Sequence, residues 1–81
     1  MDITVRFFAS LRADVGTNST TLHIPAGADL TALVEQVVTQ YPQLAGHQAM
    51  WHFAVNHVHA EPDTVLHAGD RVAIFPYVAG G

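Results

Sequence analysis

The residues that speak most directly to chemistry close the chain: Arg71-Val72-Ala73-Ile74-Phe75-Pro76-Tyr77-Val78-Ala79-Gly80-Gly81. A short, largely apolar strand runs straight into two glycines. Read as a terminus, Gly81 presents a carboxylate that titrates near ~3.5, so at neutral pH it is an anion and a poor electrophile. Reaction at its carbonyl carbon therefore requires prior activation of the carboxyl group. Gly80 and Gly81 lack a Cβ, adopt most φ/ψ values and leave the acyl carbon open to attack, which suits a tail that threads a narrow channel. Ordering such a tail costs roughly 1–2 kcal/mol per residue, and apolar contacts of Phe75, Tyr77 and Val78 are expected to offset that cost. A second candidate is His57-Val58-His59. On a strand, residues two apart share a face, and metal sites use that spacing. No third ligand accompanies the pair in a recognisable pattern, so a solvated strand face is expected, with no metal.

Two absences narrow the chemistry further. The chain has no cysteine and no lysine. The first removes a disulfide framework, a thiolate nucleophile, a Cys-based zinc site and a cysteine sulfur carrier. The second removes a Walker-type phosphate loop, a Schiff base and a side-chain ammonium for isopeptide bonds. With a net charge of −4 and only three arginines, the chain repels a phosphate backbone, so no nucleic-acid partner is expected. A basic protein surface is the better complement. Six histidines predict a change of charge between pH 5 and 8. No apolar run approaches the ~20 residues of a membrane span. The opening Met1-Asp2-Ile3-Thr4-Val5-Arg6-Phe7-Phe8 has neither the basic start nor the cleavage site of a signal peptide. A cytoplasmic protein without a membrane partner is expected.

These groups need a scaffold, and 81 residues supply one domain over 1–81, with a flexible tail at 77–81 and one modest core. Ile3-Thr4-Val5-Arg6-Phe7 alternates at period 2 and reads as a half-buried strand with Ile3, Val5 and Phe7 inward. Asp14 to Ser19 has loop chemistry, and Thr20 to Ile24 alternates again with Leu22 and Ile24 inward, so the two segments form a hairpin with a long connection. Pro25-Ala26-Gly27 stops the second strand, and Asp29 is placed to cap a helix. Leu30, Leu33, Val34, Val37, Val38 and Tyr41 follow the i, i+3, i+4, i+7 rule, with Thr31, Glu35, Gln36 and Gln40 on the other face. Pro42 marks the helix end. A loop or turn through Gln43 to Met50 leads to a short strand at Phe53-Ala54-Val55, a turn at Asn56-His57 and a further extended piece at Val58-His59. Trp51 reads equally as core or interface, and Arg6 and Arg12 read as holding carboxylates of the fold or of a partner, or by default as solvated. His67-Ala68-Gly69-Asp70 signals a turn, and Arg71 to Phe75 has the β-branched content of a final strand.

A hairpin, one amphipathic helix and further strands imply an α+β fold: a mixed sheet covered on one face by a main amphipathic helix. A right-handed crossover from the hairpin brings later strands parallel to the first, near the sheet centre. That is the β-grasp, ubiquitin-like arrangement, and it makes the final strand a core strand that launches the tail.

Placed on this pattern, the chain resembles the small subunit of molybdopterin synthase, within the ubiquitin-like sulfur carriers that include the thiamin-pathway carrier. The resemblance rests on Val5-Arg6-Phe7-Phe8-Ala9-Ser10-Leu11-Arg12 with Gly16, the helix opening at Asp29, Ala54-Val55-Asn56, Gly69-Asp70-Arg71-Val72-Ala73-Ile74-Phe75-Pro76 and the final Val78-Ala79-Gly80-Gly81. Tyr77 stands where the family commonly has a second proline, which leaves the tail less restricted in φ. The resemblance implies a carrier with no catalytic site and no bound cofactor of its own. In the family, an E1-like adenylating enzyme uses ATP to make an acyl-adenylate at the last glycine, here Gly81, and a sulfur donor converts it to a thiocarboxylate. Phe75, Pro76, Tyr77, Val78, Ala79 and Gly80 then correspond to the partner-binding segment, and the tail enters the large catalytic subunit within a heterotetramer. Sulfur passes there to the cyclic pterin precursor. Within the same mechanism a carrier for thiamin or another thio-product is the alternative; a ubiquitin-like protein modifier is the alternative outside it.

Overall fold

A computed structural model describes residues 1–76. Strand β1 (Asp2–Phe7) buries Ile3, Val5 and Phe7 as the alternation requires. It pairs antiparallel with β2 (Ser19–His23), with Ile3 opposite Leu22. The last strand, β5 (Arg71–Phe75), pairs parallel with β1, with Val5 opposite Val72 and Phe7 opposite Ile74. Its other edge carries β3 (His52–Val55) in antiparallel register, and β3 carries β4 (Val58–Ala60), so the order is β2-β1-β5-β3-β4. The strand that leads into the tail thus lies at the centre of a mixed five-stranded sheet, as the β-grasp reading expects.

Between β1 and β2 the structure departs from the loop expected at Asp14 to Ser19. A short helix, α1 (Ser10–Val15), occupies part of that connection, buries Leu11, and ends on Gly16 at φ 81°, whose N–H donates to the Arg12 carbonyl at 2.9 Å. Six residues make under two turns, too few for a period to show. Ala9 supplies no side-chain cap that would mark the start. The Gly16 conformation is the left-handed one that glycine takes at a helix end without steric cost.

The second helix, α2 (Leu30–Gln40), covers one sheet face with Leu30, Leu33 and Val37 buried and Val34, Val38 and Tyr41 half-buried. Asp29 caps it: Oδ1 accepts from the Ala32 N–H at 3.0 Å, satisfying one of the free donors of the first turn. Tyr41 presents an 85° edge contact to Phe7 at 5.7 Å between centroids, which ties the helix end to β1. Pro42 opens a 3-10 turn (Pro42–Leu44) that buries Leu44, and a second (Gln48–Met50) leads to Trp51, which is a core residue and not a surface one. Among the described residues the core holds apolar side chains only.

Asn56 and His57 form the two-residue turn between β3 and β4, both at positive φ, 50° and 71°. That is the backbone that lets the hairpin follow the twist of its strands. Asn56 tolerates it and adds two hydrogen bonds: Nδ2 donates to Asp70 Oδ1 at 3.0 Å, and Oδ1 accepts from the Arg71 N–H at 3.0 Å. Asp70 Oδ2 accepts in turn from the His67 N–H at 2.8 Å. The tip of the β3/β4 hairpin is therefore fastened to the first residue of β5. Replacing Asn56 by alanine leaves the Arg71 N–H and one Asp70 oxygen without their partner in a strained turn. We expect a loss of about 1–3 kcal/mol in urea unfolding, with the native fold retained.

Candidate functional site

Strand β5 ends at Phe75 and Pro76 is the last described residue, so the structure describes the first two residues of the expected partner-binding segment. Phe75, opposite His52 of β3, stacks on Phe8 with centroids 4.6 Å apart and an interplanar angle of 21°. Phe8 is held for this contact by its own N–H, which donates to the Ile74 carbonyl at 3.2 Å and extends the β1/β5 pairing by one residue. Phe75 remains 37% exposed, so one face of the stack is available beyond the fold. Pro76 is half-buried and walls a recess shared with Ser10, Leu11, Met50 and Trp51. Met50 is 53% exposed there. Phe75 and Pro76 thus pack at the strand end and keep outward surface at the same two residues.

Tyr77, Val78, Ala79, Gly80 and Gly81 lie outside the described residues, and the structure describes only the root of that segment, β5 and Pro76. That root is rigidly built: both neighbours of β5, β1 and β3, run alongside it in register.

The opposite face of the sheet from α2 joins Arg6, which the sequence reading weighs, to Arg71, to which it gives no role beyond the last strand. Arg6 of β1 and Arg71 of β5 point away from the core beside Phe8, Ala54, Ala73 and Phe75, around a recess of about 240 Å³. The Arg6 guanidinium carbon lies 5.5 Å from the Phe8 ring centroid, a cation–π distance. The signal for this face was present: Arg6 and Arg71 are the outward members of two alternating strands. What alternation does not reveal is that β1 and β5 are neighbours.

The histidine pair is arranged differently from expectation. His57 belongs to the turn and not to β4, so the strand rule does not relate it to His59. Both are exposed; His57 borders the open-face recess, while His59 Nε2 lies 3.1 Å from Glu61 Oε1. At the β2 edge, His23 Nδ1 stands 2.8 Å from Asp2 Oδ1, and this hydrogen bond to the charged form holds the Asp2 carboxyl below the ordinary carboxylate range. Both partners are exposed, so the pair marks the sheet edge and takes no part in the tail root. No helix among the described residues is long and apolar enough to cross a membrane.

Comparison with known proteins matches this geometry. A solved structure of small archaeal modifier protein 1 from Haloferax volcanii superposes with a TM-score of 0.84 at 20% identity, covering 95% of this chain and 98% of that one, which establishes the shared β-grasp fold. A chain from the complex of subunits 1 and 2 of molybdopterin-converting factor from Helicobacter pylori superposes at 0.71 with 23% identity and full coverage of both chains. In sequence, the molybdopterin synthase sulfur carrier subunit of Mycobacterium tuberculosis is 38% identical over 80 residues, 98% of this chain and 96% of that protein. The model of the ThiS family matches residues 5–81, which include the whole of the described site and the final glycines. A β-grasp sheet whose central strand leads into Gly80-Gly81, matched from β1 to the last residue, places this chain in the ThiS family.

Proposed function

We propose that this chain is a sulfur carrier of molybdenum cofactor biosynthesis, the small subunit of a molybdopterin synthase. The observation that carries the reading is the full-length similarity to a molybdopterin synthase sulfur carrier subunit, joined to a fold in which the central strand β5 holds the root of a Gly-Gly tail. A carrier of this kind needs a rigid body that partners recognise and a short extension that reaches a remote active site. The β5 anchor supplies the first, and residues 77–81 have the composition for the second.

In this reading the chemistry is divided among proteins. An E1-like adenylating enzyme uses ATP to convert the Gly81 carboxylate to an acyl-adenylate with release of pyrophosphate. A sulfur donor then displaces AMP and leaves a thiocarboxylate. The chain contributes no nucleophile to these steps, in keeping with the absence of cysteine and lysine. Its large partner is the catalytic subunit of the synthase, with two carriers at the ends of a large-subunit dimer in a heterotetramer. Phe75, Pro76 and Tyr77 contact that subunit at the mouth of its site, and Val78, Ala79, Gly80 and Gly81 enter it to deliver sulfur to the cyclic pterin precursor. The carrier itself binds no cofactor, and its place of work is the cytoplasm.

Intact mass spectrometry tests the central step. After incubation with ATP, the E1-like enzyme and a sulfide source, the expected product is heavier by the exchange of one oxygen for sulfur, with the change mapped to Gly81. An unchanged mass with a competent cognate enzyme overturns the carrier reading. A ladder of conjugates dependent on Gly81 would place the chain among protein modifiers instead.

A further inference from the structure

The net charge of −4 points to a basic partner, yet the open sheet face has the opposite local character. Two of the three arginines, Arg6 and Arg71, border one recess with His57, and among the described residues no acidic one lines it. In the β1/β5 register Thr4 lies opposite Arg71 and Arg6 opposite Ala73, so the two arginines occupy diagonal positions on adjacent strands. Ala73, and Ala54 opposite it on β3, also line the recess with small side chains. The ion pairs found among the described residues all join a histidine to a carboxylate; none involves Arg6 or Arg71. Asp70, next to Arg71 in sequence, has both oxygens engaged, one by Asn56 and the other by the His67 N–H. Arg6 is steadied over Phe8, and Phe8 on Phe75, so one cation is fixed relative to the root of the tail. His57 lines the recess from the β3/β4 turn, in the left-handed backbone that histidine, asparagine and aspartate adopt more readily than other side chains.

We infer that this recess is a carboxylate-binding site, which takes an Asp or Glu side chain of the protein that encloses the tail. Resting on the carrier reading, the inference adds the chemistry by which the partner is selected. Two observations choose a carboxylate-bearing protein as occupant. The recess is cationic on an otherwise anionic chain, and a planar guanidinium pairs with a carboxylate through two parallel hydrogen bonds. It also adjoins Phe75, the last residue of β5, so a partner that closes around the following residues passes over it. An acidic group there, flanked by apolar surface for the Phe8/Phe75 stack, fixes the orientation in which the tail is offered.

Calorimetric titration of the full chain with the purified large subunit of molybdopterin synthase tests this. Arg71→Glu and Arg6→Glu are each expected to raise Kd by roughly 30-fold or more, and Arg71→Gln to raise it by less. Arg12→Glu, on α1 and away from the recess, is expected to stay within about 2-fold. Wild-type affinity is expected to fall as salt rises. If the glutamate and glutamine variants bind as tightly as wild type, the recess does not receive a carboxylate, while the carrier reading stands. A wild-type chain that fails to bind the large subunit at all overturns both.

Discussion

A chain lengthened by a single residue after Gly81 is expected to lose sulfur delivery while keeping its melting temperature. Adenylation acts on a free carboxylate, and in the lengthened chain the Gly81 carbonyl is an amide. The new carboxylate sits ~3.5 Å further along an extended tail. In active sites where a displacement of about 1 Å costs on the order of 100-fold, that shift takes product formation below detection. The fold is expected to be indifferent to the change, because the buried apolar residues among those described already form a core from Ile3 to Ile74. Single-turnover conversion of the cyclic pterin precursor, with circular dichroism on the same sample, measures both halves of the expectation. Sulfur delivery by the lengthened chain at the wild-type rate would sink the mechanism.

Leu33→Asp is expected to do the reverse, abolishing the fold with the tail chemistry intact in principle. Leu33 is fully buried at the middle of α2, and among the described residues no polar side chain is buried in the core to receive a charge. The carboxylate must either ionise unpaired or remain protonated with its hydrogen bonds unmade, and both are costly. A loss above about 4 kcal/mol is expected, close to the whole stability that a domain of this size has to give. Loss of the far-UV helical signal and of the cooperative transition at room temperature is the expected readout. Gln36→Asp, exposed on the opposite face of the same helix, should fall within about 0.5 kcal/mol of wild type. A folded Leu33→Asp protein would mean that α2 packs through another face.

Partner selection by Arg6 and Arg71 links these two results. The tail carries the chemistry and α2 carries the stability, whereas the open face, which contributes to neither, is free to specify which protein is engaged. Electrostatic contacts at such a rim act on the rate of encounter and on discrimination between partners.

Much of this was legible before folding because it depends on local periodicity. Alternation over Ile3 to Phe7 and the i, i+3, i+4 stripe from Leu30 to Tyr41 each name a buried face from neighbours a few residues apart, and Asp29 announces its helix by its position before that stripe. The consequence of a Gly-Gly carboxylate is likewise a property of the residues themselves. Other features had no local signature. Helix α1 is too short to display a period, and Trp51 found its place in the core only when the two 3-10 turns before it were set. The fastening of Asn56 to Asp70 and Arg71, the stacking of Phe8 on Phe75 and the meeting of Arg6 with Arg71 all join segments far apart in the chain. They arise because β5 inserts between β1 and β3, a choice of strand neighbour and register made by burying Val72 and Ile74 beneath α2, and no pattern within a single segment encodes it.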